Sequence, residues 1–144
     1  MPQSPTSDDQ PSPHIPLRMP LHPGIDEDMI ERLVRRFYDA VRVDAQLGPV
    51  FQRVIPMDWE PHLKTMMAFW SSVTLMSGRY KGQPMPMHKA LSDVGPEHFD
   101  RWLDLFRHAA RDVCPPDIAR VFIDRAEQIA VTLSQGMFGR PYNA

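Results

Sequence analysis

Apolar residues return at every third or fourth position along four long stretches, and no stretch alternates apolar and polar as a half-buried strand would. That period restricts the chain to helices packed on helices. Ile30, Leu33, Val34, Phe37 and Val41 make the first stripe, with Glu31, Arg32, Arg35 and Arg36 between them and Asp26 or Asp28 as N-cap. Gly48-Pro49 then breaks the chain, and a short apolar turn ends in Phe51. A second helix begins near Asp58. Trp59, Leu63, Met66, Trp70 and Val73 form its stripe, which His62, Phe69 and Met76 widen, and Gly78 supplies the stop. Phe99, Trp102, Leu103, Phe106, Ala110 and Val113 line a third helix. Pro115-Pro116-Asp117 opens the last, with Ile118, Val121, Phe122, Ile129 and Leu133 inward. The expected class is all-α.

Residues 1–24 hold seven of the 16 prolines, few large apolar side chains, and only Asp8, Asp9 and Arg18 as charges. Such a segment buries too little surface to offset its ordering entropy, so it is expected to be a flexible tail. His14 and His22 are then bystanders. The helical pattern defines one domain over 25–138, followed by a short tail over 139–144. A net charge of −2 without any Lys/Arg run excludes the electrostatic footprint of a nucleic-acid binder. No run approaches the roughly 20 apolar residues of a membrane span, and Met1–Pro20 lacks the pattern of a secretory signal. A cytoplasmic location is the resulting expectation. Cys114 has no partner for a disulfide, and its place before Pro115 and Pro116 reads as a turn residue with an inert thiol.

The stretch from Arg79 to Gly95 does not fit a simple bundle. It spends 17 residues, punctuated by Gly82, Pro84, Pro86 and Gly95, where helix links usually run about 2–8. At most one short helix fits, centred on Met87-His88-Lys89-Ala90-Leu91. A connection of that kind makes sense if it wraps a large flat ligand and presents one imidazole, as a haem iron requires of its proximal ligand. A lone histidine on a short helix is nevertheless more often a surface or capping residue. Three polar tips on converging apolar faces shift that balance: Tyr38 beside Phe37, His62 on the edge of the second helix, and Trp102 in the third stripe. Each taken singly is more often an ordinary core aromatic or helix-start residue. Ten methionines, several clustered at Met66-Met67, Met76 and Met85-x-Met87, suit either an irregular pocket wall or a gap-filled core.

Several runs together point further: Phe37-Tyr38-x-x-Val41-Arg42, Leu47-Gly48-Pro49-Val50-Phe51, His62 to Phe69-Trp70, Tyr80-x-Gly82-Gln83-Pro84 and Trp102-Leu103-x-Leu105-Phe106. In this order and spacing, from about Asp26 to Phe138, they resemble the third group of bacterial truncated haemoglobins. The glycine motifs of the other truncated-globin groups are not evident, and the proline-rich start is a departure. The resemblance implies a two-over-two helical sandwich around haem b, with His88 as the proximal iron ligand. It makes Tyr38 and Trp102 a distal pair of hydrogen-bond donors. His62 falls at a distal position where it gates entry or competes as a sixth ligand. Phe51 and Met66 match side chains facing the haem, and Phe69, Trp70 and Phe99 are expected against it as well. Arg79 and Tyr80 are available at the rim for the propionates, although solvated surface is the better single assignment for each.

The implied function is binding of a diatomic ligand, oxygen or nitric oxide, at ferrous iron. Simple oxygen storage fits less well, because two donors hold bound oxygen tightly. Nitric oxide dioxygenation or peroxidase-like turnover would make the chain an enzyme, and would need an unidentified reductase. A second class stays open on composition alone: a cofactor-free helical adaptor that binds partners through a Met-rich groove. A di-iron carboxylate bundle is disfavoured, because the helices lack paired Glu-x-x-His motifs.

Overall fold

The computed structural model describes residues 19–55, 58–82 and 94–138, and within them the chain forms five helices and no strand. They are α1 (Glu27–Val43), α2 (Leu47–Val54), α3 (Glu60–Leu75), α4 (Pro96–Val113) and α5 (Pro116–Phe138). The expected short helix around His88 lies outside the described residues.

Of the two possible caps, α1 uses Asp26, whose carboxylate accepts the Met29 N–H at 2.8 Å. Glu27 and Asp28 then add negative charge where the helix dipole favours it. The expected turn ending in Phe51 is instead a two-turn helix, α2. Pro49 does not break it, because Pro49 sits in the first turn, where backbone N–H groups have no intrahelical acceptor to lose. Asp44 starts that helix: its Oδ2 accepts the N–H groups of Gln46 (3.0 Å) and Leu47 (2.9 Å), while Oδ1 accepts from Arg101 Nε of α4 at 2.6 Å. Burial alone would raise the pKa of this carboxyl. The three donors outweigh burial and hold it below the usual range.

Helix α3 stops earlier than the glycine signal implied. Met76, at φ 58°, takes the left-handed position, and Gly78 repeats that conformation two residues later. A left-handed methionine costs about 1 kcal/mol and persists only where neighbours over-determine it. Here they do. The Ser71 hydroxyl donates to Glu27 at 2.7 Å and lies 2.7 Å from the Ser77 hydroxyl. The Tyr80 N–H reaches the Ser72 hydroxyl at 2.8 Å, and Arg79 pairs with Glu27 at 2.6 Å. This network ties the exit of α3 to the start of α1.

Helices α1 and α3 form one layer against the pair α4 and α5, with α2 bridging α1 and α4. The core is the seam between them, lined by Ile30, Leu33, Val41, Leu103, Phe106 and Phe122. Through it runs a stack of three rings. Phe106 lies between Trp70 (5.0 Å, 18°) and Trp102 (5.7 Å, 16°), and Phe122 meets Trp70 edge-on at 5.7 Å. Gly48 lets α2 close on α1, since a Cβ there would stand 2.9 Å from the Arg42 carbonyl oxygen.

The residues just before α1 are more ordered than a tail should be. The Leu21 N–H donates to the Thr74 carbonyl at 2.8 Å. His22 accepts the Gly24 N–H at Nδ1 and places Nε2 2.9 Å from Asp117 at the start of α5. His22 is therefore no bystander: its two ring nitrogens supply the tether that apolar burial does not. Cys114 is buried, and desolvation pushes its thiol up to about 11 against a weaker pull from Arg32, so the reactive thiolate is disfavoured.

Candidate functional site

Tyr38 is the hub of a cluster of rings, in contact with Phe37, Phe51, Trp59 and His62. It follows the core residue Phe37 on α1, is 5% exposed, and meets Phe37 edge-on at 4.8 Å. Phe51, delivered by α2, packs on it at 5.8 Å, and His62, from the first turn of α3, stands perpendicular to it at 4.9 Å and 87°. Trp102 of α4 joins through Phe37, at 5.8 Å and 89°. Tyr38, Phe51 and His62 thus form one cluster with Trp102 one ring away.

The electrostatics of this cluster are those of a dry site. Burial pushes the Tyr38 hydroxyl well above its ordinary pKa, so it stays a protonated donor. Burial lowers His62 to about 4, so its imidazole is neutral. Its Nε2 is buried and makes no hydrogen bond among the described residues. A buried, unpaired imidazole nitrogen is costly unless something is there to meet it. Neither the Tyr38 hydroxyl nor the Trp102 indole N–H has a hydrogen-bond partner among the described residues. Two donors, one neutral imidazole and an apolar wall suit a flat macrocycle carrying a metal-bound small molecule. Met66, Phe69 and Trp102 are partly buried and packed on the core.

The other expected contact residues have these neighbours in the structure. Trp70, at 4% exposure, belongs to the central stack. Phe99 is buried and meets Phe138 edge-on at 6.1 Å. Phe69 lies between Trp70 (5.5 Å) and Tyr80 (5.2 Å), so Tyr80 closes an aromatic corner at the exit of α3. The Arg79 guanidinium is engaged by Glu27. His88 lies outside the described residues, and among those that are described no group of three His, Cys, Asp or Glu gathers to hold a metal ion.

Sequence reasoning placed Trp59 in the core stripe. The structure instead sets it half-buried just before α3, stacked on Phe51 (6.2 Å, 28°) and edge-on to His62 at 6.0 Å. The available signal was its spacing of three residues before His62, which puts both on one side of a helix entry.

Comparisons with known proteins bear on the fold and the family. A family model described as bacterial-like globin matches residues 24–134. The chain is 34% identical over 109 residues to the group 3 truncated hemoglobin ctb of Campylobacter jejuni, covering 74% of this chain and 86% of that one. It also superimposes on the crystal structure of a group III truncated hemoglobin from Campylobacter jejuni with a TM-score of 0.77. That match has 31% identity and covers 81% of this chain and 94% of the other. These matches remove the cofactor-free adaptor as an account of the fold. Among the described residues no helix is long and apolar enough to cross a membrane. The two-over-two sandwich, the family-model match and the shared length and identity together assign the chain to the bacterial-like globin family, as a truncated haemoglobin of the third group whose cofactor is haem.

Proposed function

We propose that this haemoglobin binds a diatomic ligand, oxygen or nitric oxide, with His88 as proximal iron ligand and Tyr38, Trp102 and His62 on the opposite side. Ferrous haem supplies the ligand-binding chemistry; the chain supplies polarity, dryness and access. Tyr38 and Trp102 each offer one donor to a ligand that carries partial negative charge, which favours oxygen over carbon monoxide. His62 controls passage between solvent and that space. The reading rests above all on the His62 Nε2, buried and unpartnered beside the Tyr38 ring. A two-donor pocket suits tight holding or redox turnover better than oxygen storage, and turnover such as nitric oxide dioxygenation or peroxide reduction calls for a separate reductase.

The deciding experiment is an absorbance titration of ferric, ferrous and carbonmonoxy states in wild type and His88→Ala. Wild type shows a strong Soret band that shifts on reduction and on gas binding. His88→Ala releases haem, or keeps it only with added imidazole. A wild-type ferrous spectrum in His88→Ala without imidazole would remove His88 from the role.

A further inference from the structure

The start of α3 is strapped to α1 directly over the pocket cluster. Arg35 holds Glu60 with two hydrogen bonds, NH1 to Oε2 at 2.8 Å and NH2 to Oε1 at 3.1 Å. Seven residues on, and so on the same face of α1, Arg42 places its guanidinium carbon 4.7 Å from the centre of the Trp59 ring. Tyr38 sits between those two arginines. The arginines therefore grip consecutive residues, Trp59 and Glu60, on either side of the point where Tyr38 meets His62. Trp59 in turn touches every ring of the cluster: Phe51 at 6.2 Å, His62 at 6.0 Å and Tyr38 at 6.1 Å. Among the described residues, His62 is boxed by Tyr38, Phe51 and Trp59, and of these three Trp59 is the one with an exposed cation pinned on it. The Trp59 indole stands edge-on beside the His62 imidazole, so the ring is walled on that side.

We infer that Trp59, fixed by Arg42, is a positioning residue that confines His62 and thereby sets how fast a small ligand passes between solvent and the Tyr38 side of the pocket. The inference rests on the proposed reading of that side as the ligand side. It treats His62 as one leaf of a two-part barrier whose other leaf is held from α1. Loosening the outer leaf then changes entry without changing the donors that hold a bound ligand.

The test uses the haem-loaded protein. Carbon monoxide association is followed by flash photolysis, and dissociation by displacement, in wild type, Arg42→Gln, Trp59→Ala and the double variant Trp59→Ala/His62→Leu. Arg36→Gln, whose partner Asp112 lies away from the pocket, serves as control. Arg42→Gln is expected to speed association roughly two- to five-fold, the population change that loss of one exposed cation–π contact allows. Trp59→Ala should speed it more, dissociation should stay near wild type, and His62→Leu should add little on top of Trp59→Ala because both act at one barrier. A second readout needs no haem. Acylation of His62 by diethylpyrocarbonate, mapped by mass spectrometry, should be slow in wild type and faster in both single variants. Arg42→Gln keeps the ring and the fold, so it carries the test if Trp59→Ala unfolds. Unchanged association in Arg42→Gln together with unchanged His62 acylation overturns the inference. A wild-type protein that retains no hemin overturns the functional reading instead, while acylation still decides whether Trp59 confines His62.

Discussion

Tyr38→Phe separates what the fold needs from what the ligand needs. The Tyr38 ring makes its contacts with Phe37 (4.8 Å), Phe51 (5.8 Å) and His62 (4.9 Å) through atoms that phenylalanine retains. Only the hydroxyl is lost. Among the described residues that hydroxyl has no hydrogen-bond partner, and burial alone accounts for its raised pKa. Its removal breaks no internal hydrogen bond, so thermal stability should stay within about 0.5 kcal/mol of wild type. A donor facing a partly charged acceptor contributes about 1–3 kcal/mol. With association unchanged, that range is roughly a five- to 150-fold faster oxygen dissociation. Carbon monoxide carries far less charge, and its dissociation should change far less. Stopped-flow displacement of each gas gives both numbers on one preparation. Trp102→Phe completes a double-mutant cycle whose terms should not add, because both donors serve one acceptor. Equal acceleration for the two gases would mean that Tyr38 acts by blocking space, and the donor argument would fail.

Acid sensitivity follows from His62. Its folded pKa, about 4, lies below the ordinary 6.5, so the unfolded chain takes up a proton first as pH falls. The loss of stability begins near pH 6.5 and deepens to about pH 4, with no effect above. His62→Leu should therefore flatten the decline of the urea midpoint over that window, and parallel slopes in both proteins would contradict it. Gly48→Ala should destabilise despite the better helix propensity of alanine, because the new Cβ meets the Arg42 carbonyl oxygen at 2.9 Å. An unfolding temperature equal to or above wild type would show that α2 shifts aside without cost.

Helix content, the seam and the pocket-end cluster were legible because each left a period or a ring in the chain. The stripe from Ile30 to Val41 is the buried face of α1, and Tyr38 sits where its spacing after Phe37 places it. Proline and glycine misled where context overrode them. Gly48-Pro49 reads as a break, yet the Asp44 carboxylate accepts the first N–H groups of the helix and Pro49 falls among N–H groups that need no acceptor. Gly78 reads as the stop of α3, yet the left-handed cap is already Met76, two residues before the left-handed Gly78, amid bonds of Ser71, Ser72, Ser77 and Glu27 that span up to 52 positions of sequence. Trp59 was hidden for a related reason. An aromatic on a helical stripe looks like core, and only the distant Arg42 and Phe51 reveal that this one faces the pocket.

The ring stack has a consequence for how such proteins diversify. Trp102, the proposed second donor, lays its ring on Phe106, one of the most deeply buried aromatics of the core, with Trp70 on the far side. Selection on gas chemistry at position 102 is thus yoked to selection on folding, since any smaller side chain uncovers a ring that the whole seam depends on. Tyr38 carries no such double duty, because its hydroxyl can come and go while its ring stays in place. Lineages that retune ligand chemistry have an inexpensive site at position 38 and a constrained one at 102, and drift toward new gases should enter through the first.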